Sequence, residues 1–162
     1  MKIIIATIAI LYSSLTFAAE KDLWLDVNVG SYHSTSEYCE KDKCKKYNQF
    51  NYGLGLSYEI SKSLELTGGY FRNSFDKNSF YAGTKIKHDF VVNGFTISPG
   101  VVISLTTGYN NTTVNASRMQ LFGMPTISVS YSRFRGVFGI LPLRLIGASD
   151  TDIIAFQAGI KF

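Results

Sequence analysis

Four residues carry the groups that acyl chemistry needs. His33 offers an imidazole to move a proton, Ser74 a hydroxyl, and Asp76 or Asn73 a carboxylate or amide to orient the imidazole. The inventory alone is unspecific, because Ser, Asp and Asn are ordinary turn residues and a lone loop histidine needs no function. A long stretch of chain separates His33 from the 73–76 run, so only a fold that returns both segments to one place makes a site of them.

The elements around these residues read as strands. Ile154, Phe156, Ala158, Ile160 and Phe162 share one face of the last strand, while Gln157, Gly159 and Lys161 share the other. In the second strand Asn51, Gly53, Gly55, Ser57 and Glu59 oppose Phe50, Tyr52, Leu54, Leu56, Tyr58 and Ile60. Asn93-Gly94 marks a hairpin. Starting with residues 23–32, the pattern predicts eight strands. Their long connections fall at 33–48, 73–79, 106–119 and 146–152, and the short ones at 61–63, 91–94 and near 132–136. The expected fold is all-β: an eight-stranded antiparallel transmembrane β-barrel of the outer membrane. On this topology His33 and the 73–76 run reach the same rim.

The faces fix which side meets lipid. Asn28, Gly30, Asn51, Gly53, Gly55, Ser57, Ser98, Gly100, Ser104 and Gly159 are small and uncharged, which suits a crowded lumen rather than a soluble exterior. Tyr52, Tyr58, Tyr70, Phe95 and Phe162 lie near strand ends, where interfacial aromatics belong. Val137 to Leu145 is apolar on both sides, so its facing stays open.

The beginning of the chain agrees. Met1-Lys2, the apolar run from Ile3 to Leu11, and small residues at Thr16 and Ala18 read as a signal peptide over 1–18. Residues 19–162 are then one barrel domain, placed in the bacterial outer membrane after cleavage. A formal net charge of +4 is too small and too dispersed to suggest nucleic acid. Cys39 and Cys44, in a hydrophilic stretch of an exported chain, predict a disulfide. No metal site is expected, since two thiolates without a matching histidine pair do not complete a tetrahedral set.

Several segments together resemble the lipid A palmitoyltransferase family, the PagP-like outer-membrane barrels that move an acyl chain from a phospholipid to lipid A. His33 matches the family histidine at the end of strand one. Tyr47-Asn48 followed by Tyr52-Gly53-Leu54-Gly55-Leu56 resembles the second strand. Asn73-Ser74-Phe75-Asp76-Lys77 occupies the place of the family's Asp-Ser-aromatic motif, with Ser74 on its serine and Asn73 where an aspartate would be. Pro125 and Pro142, on strands six and seven, are similar to the paired prolines that open a lateral gap for phospholipid. Asn28 and Phe50 stand where the prolines of a second gap would be.

The resemblance implies an acyltransferase that needs no cofactor, has phospholipid and lipopolysaccharide as its lipid partners, and works as a monomer. His33 would be general base, Ser74 the hydroxyl partner or oxyanion stabiliser, and Asp76 or Asn73 the orienter. Lys41, Lys43, Lys45 and Lys46 would meet lipid A phosphates, although Glu37, Glu40 and Asp42 nearly balance them, as in a solvated loop.

Two features pull the other way. His33 shares parity with Leu23, Leu25, Val27 and Val29, so it faces the lumen only if a bulge turns it. Tyr81, Gly83, Lys85 and Lys87 share a face, where the family keeps a small residue in place of Lys85 to floor its acyl pocket. If that face is interior, the lysines pair with Glu59 and Glu65, fill the lumen and leave little room for a long acyl chain. The alternative function is then a non-catalytic small barrel with a structural, adhesive or surface-modifying role.

Overall fold

A computed structural model of the chain describes residues 22–40, 43–109, 119–143 and 151–162. The signal-peptide reading of 1–18, Lys41 and Asp42, and the centres of the third and fourth long connections lie outside these residues.

Among the described residues eleven strands form in chain order: β1 (Leu23–His33), β2 (Glu37–Glu40), β3 (Lys43–Lys46), β4 (Gly53–Ser61), β5 (Leu64–Arg72), β6 (Asn78–Lys87), β7 (Phe90–Val92), β8 (Phe95–Thr106), β9 (Gln120–Tyr131), β10 (Phe134–Leu141) and β11 (Ile153–Lys161). The order β6-β5-β4-β1-β11-β10-β9-β8-β7, with an added β6–β8 pairing, closes eight antiparallel strands into a barrel. Among the described residues there is no helix. β7 is a short extension paired to the start of β8, set off from β6 by His88 and Asp89. β2 and β3 form a separate hairpin within the first long connection, stapled by the Cys39–Cys44 disulfide.

Tight turns at 62–63, 93–94 and 132–133 gather at one end, and Asn93 and Gly94 both take positive φ there. The turn near 132–136 is shorter than the sequence suggests, because Phe134 and Arg135 already belong to β10. Pro142 lies just past β10 rather than on it. The Leu143 amide donates to the Leu141 carbonyl around it, a tight turn that proline's fixed φ favours.

The exterior is apolar. Val27, Leu54, Leu56, Leu66, Ile86, Val101, Ile103, Leu105, Ile127 and Ile140 are all exposed large hydrophobic residues in mid-wall. Two aromatic belts flank them. Tyr32, Phe50, Tyr52, Tyr70 and Phe80 ring the long-loop end, and Phe90, Phe95, Tyr131, Phe134 and Phe162 ring the turn end. An apolar wall between two such girdles is the surface of a barrel seated in a bilayer. This is an outer-membrane-type β-barrel.

Inside, the turn-end half holds a charged layer. The Arg135 guanidinium grips both carboxylate oxygens of Asp26 at 2.8 and 2.9 Å and reaches Glu65 Oε2 at 2.9 Å. It lies 4.4 Å over the buried Trp24 ring. Lys85 Nζ donates to Ser128 Oγ at 2.8 Å, and Lys87 Nζ pairs with Glu59 at 2.9 Å and Asp89 at 3.2 Å. Glu65 is thus taken by Arg135 rather than by a lysine, a partner missed when Arg135 is read as a turn residue.

Candidate functional site

The charged layer leaves the long-loop end of the lumen open. Above it lies a cavity of about 510 Å³, walled by Val102, Phe122, Met124, Val137, Leu141 and Ile153 and reaching the long-loop rim. The network expected to exclude a chain is instead its foundation. Between the two, Gln157 Nε2 reaches Asn28 Oδ1 at 3.3 Å and the Tyr81 hydroxyl at 3.4 Å, a polar belt across the lumen. Gly55 makes this crossing possible, since any Cβ there would collide with the Tyr81 hydroxyl.

His33 reaches the cavity through a local break in strand register. The β1–β11 ladder shifts between Asn28 and Gly30, so Ser31 and His33 turn inward while Tyr32 turns out. The bulge resolves the parity conflict. His33 is 2% exposed and neither ring nitrogen has a hydrogen-bond partner among the described residues. Its ring stacks on Tyr47, centroids 4.3 Å apart.

Tyr47 belongs to an aromatic roof. Tyr38 and Tyr47 come from the β2–β3 excursion, Phe75 from the β5–β6 turn and Tyr109 from the end of β8. Tyr38 meets Phe75 edge-on at 4.8 Å, Phe75 meets Tyr109 at 5.9 Å, and Tyr109 meets Phe122 at 5.1 Å. Each such contact adds about 0.5–1.5 kcal/mol beyond area burial, so together they tie three connections over the mouth. Burial raises the pKa of the Tyr47 phenol, with Tyr38 adding to the effect, and burial raises that of Tyr109 as well. Both are neutral hydroxyls at ordinary pH.

Ser74 is buried and lines the same cavity as His33. Its backbone carbonyl accepts from the Asn48 amide at 2.8 Å, which fixes the β5–β6 turn to the first long connection. No hydrogen bond joins Ser74 to His33 among the described residues. Asn73 and Asp76 are engaged elsewhere. Asn73 is fully buried: its amide donates to Ser79 Oγ at 2.9 Å and the Gly108 carbonyl at 2.8 Å, and its carbonyl accepts from the Phe75 and Lys77 amides. Those four bonds make it the keystone of its turn. Asp76 has φ of 60° and projects to solvent, where its hydrogen bond with Arg72 at 2.8 Å holds its carboxyl below the usual range. The structure therefore brings His33 and Ser74 to one cavity and leaves both orienter candidates outside it.

The wall also has a seam. The β8–β9 ladder runs to Thr106↔Gln120 and the β10–β11 ladder to Leu141↔Ile153, but β9–β10 pairing ends at Thr126↔Gly139. Pro125, the next residue, has no amide hydrogen to continue it. The sides of the seam are Gln120 to Pro125 and Ile140 to Leu141, with the Met124 thioether packed where a Cβ on Gly139 would be. The junction between β1 and β4 is by contrast bridged beyond its ladder by the Ser31 amide donating to Gln49 O at 2.8 Å.

Sequence reasoning missed Asp26, Arg135 and Trp24. Asp26 and Trp24 share parity with Asn28, already assigned inward, and that signal was sufficient to place them. Tyr47, Phe75 and Tyr109 carry no periodic signal, because they sit in connections.

No protein-family model matches the chain, and no curated protein matches it. Among solved structures it is similar to the N-terminal β-barrel domain of Pseudomonas aeruginosa OprF, at 12% identity and a TM-score of 0.46, covering 87% of this chain and 97% of that one. The barrel assignment here rests on the closed ladder and the apolar exterior themselves.

Proposed function

We propose that this protein takes an acyl chain of a membrane phospholipid into the long-loop half of its lumen and transfers it to lipid A in the outer leaflet of the outer membrane. Long connections of such barrels face outward, so the rim with His33 and Ser74 meets that leaflet. The observation that carries the reading is the cavity with apolar walls above the charged layer, lined at its mouth by His33 and Ser74. Its volume is in the range of ligand pockets.

In this account the acceptor hydroxyl loses its proton to His33 as its oxygen attacks the phospholipid ester carbonyl. A hydrogen bond from Ser74 steadies the oxyanion, and the proton then goes to the departing lysophospholipid oxygen. The seam beside Pro125 gives a donor chain a sideways route, and Pro142 ends β10 on its other side. The resemblance to PagP-like enzymes adds to this reading, while Asn73 in place of an aspartate departs from it.

A non-catalytic lipid-holding barrel is the second reading. It is favoured by one observation, that neither Asn73 nor Asp76 is placed to orient His33.

Mass spectrometry of lipid A from a strain lacking its own lipid A acylation tests the first reading. Expression should add one acyl chain, and His33→Ala and Ser74→Ala should abolish the gain. Unchanged lipid A with folded, inserted protein favours the second reading.

A further inference from the structure

The cavity's lower end is not apolar. Thr126 precedes Ser128 by one inward step on β9, on its long-loop side, and both Thr126 and Ser128 face the lumen. The Ser128 hydroxyl is occupied by Lys85 and the Ser98 carbonyl. The Thr126 hydroxyl has no hydrogen-bond partner among the described residues, although the residue is only 7% exposed and lines the cavity. The lining also includes Asn28, Gln157, Thr67 and Tyr81, so a chain entering from the rim meets oxygens and amides as well as hydrocarbon. Burying a hydroxyl without a partner is unfavourable, and a methyl-terminated chain pressed against it would leave it so. At the mouth the two ring nitrogens of His33 are also buried, and among the described residues they have no hydrogen-bond partner. The cavity thus has unmet polar groups at both ends and hydrocarbon walls between.

We propose that the preferred occupant is an amphiphile with an apolar body and a hydrogen-bonding oxygen at its buried end, an acyl chain hydroxylated toward its tail rather than a plain alkyl chain. This rests on the acyl-chain reading above. Thr126 recognises the tail oxygen, either donating to it or accepting from a hydroxyl, and the Asn28–Gln157–Tyr81 belt supplies the surrounding polarity.

The test uses purified protein in phosphatidylcholine nanodiscs, loaded with equal amounts of a terminally hydroxylated saturated fatty acid and its unsubstituted counterpart, over a series of chain lengths. Retained acids are counted by mass spectrometry against empty nanodiscs. One hydrogen bond gained predicts roughly fivefold enrichment of the hydroxylated acid. Thr126→Val should erase the preference and Thr126→Ser should keep it, with the heat-dependent shift of the barrel on gels confirming that each variant is folded. Equal retention of both acids above the empty-disc level, unchanged by Thr126→Val, overturns this proposal and leaves the acyl-chain reading standing. Retention of neither acid above that level overturns both.

Discussion

The imidazole of His33 lies flat on the phenol ring of Tyr47, with centroids 4.3 Å apart and planes 8° from parallel. A strand residue is thereby fixed by a residue from the loop above it. Two backbone features make the contact: the register shift at Val29 that turns His33 inward, and the close passage of Gly30 beneath the returning chain.

Gly30 is the more fragile of the two. A Cβ there would sit 2.6 Å from the Gln49 carbonyl oxygen, which already accepts from Ser31. Gly30→Val should push the first long connection off the rim while the barrel persists. Hydrogen exchange should then rise at residues 47–51 with little change in β5 or β6, and unaltered exchange at 47–51 would contradict this contact.

Arg135 holds the charged layer together. Removing it leaves Asp26 and Glu65 buried and unpaired, so Arg135→Ala should cost about 3–5 kcal/mol. Breaking the half-exposed Lys161–Asp22 pair should cost less than about 1 kcal/mol. Urea unfolding in lipid vesicles, followed through Trp24, the one tryptophan, measures both. Equal costs would mean the layer is solvated.

Asn73→Asp probes the turn and the chemistry together. A carboxylate accepts from the Phe75 and Lys77 amides but cannot donate to the Gly108 carbonyl, which stands 2.8 Å from the present amide. The expected loss is about 1–3 kcal/mol, seen as a lower unfolding midpoint. A rise in stability would show that the amide is not the keystone described above.

Reduction of Cys39–Cys44 should act locally, because among the described residues β2 and β3 form a two-stranded sheet separate from the barrel sheet. Protease cleavage near 40–43 should appear under reductant while the barrel's unfolding midpoint moves by less than about 0.5 kcal/mol. A large shift of the midpoint would mean that the hairpin bears on the wall.

Much of this fold was legible in the alternation of side chains. The faces of β4 and β11, with Gly53, Gly55 and Ser57 inside and Ile160 and Phe162 outside, follow from period two alone. His33 was not, because a bulge shifts parity without marking the sequence. Nor was the partly filled lumen: Lys85 and Lys87 were visible as interior charges, but Arg135 was hidden in an apparent turn. With it goes the height at which charge gives way to hydrocarbon. Asn73 and Asp76 look interchangeable as orienters in sequence. Only the turn geometry shows one locked inside by four bonds and the other in solvent.

The claim that the upper lumen receives an acyl chain is tested most directly by a phospholipid with a photoreactive group at the end of one chain. After irradiation in vesicles, cross-linked residues are mapped by mass spectrometry. The account predicts adducts on the cavity residues Val102, Met124, Val137 and Leu141, lost when Gly139→Phe fills the space beside Met124. Adducts confined to outward residues such as Val101, Ile103 and Leu105 would contradict it.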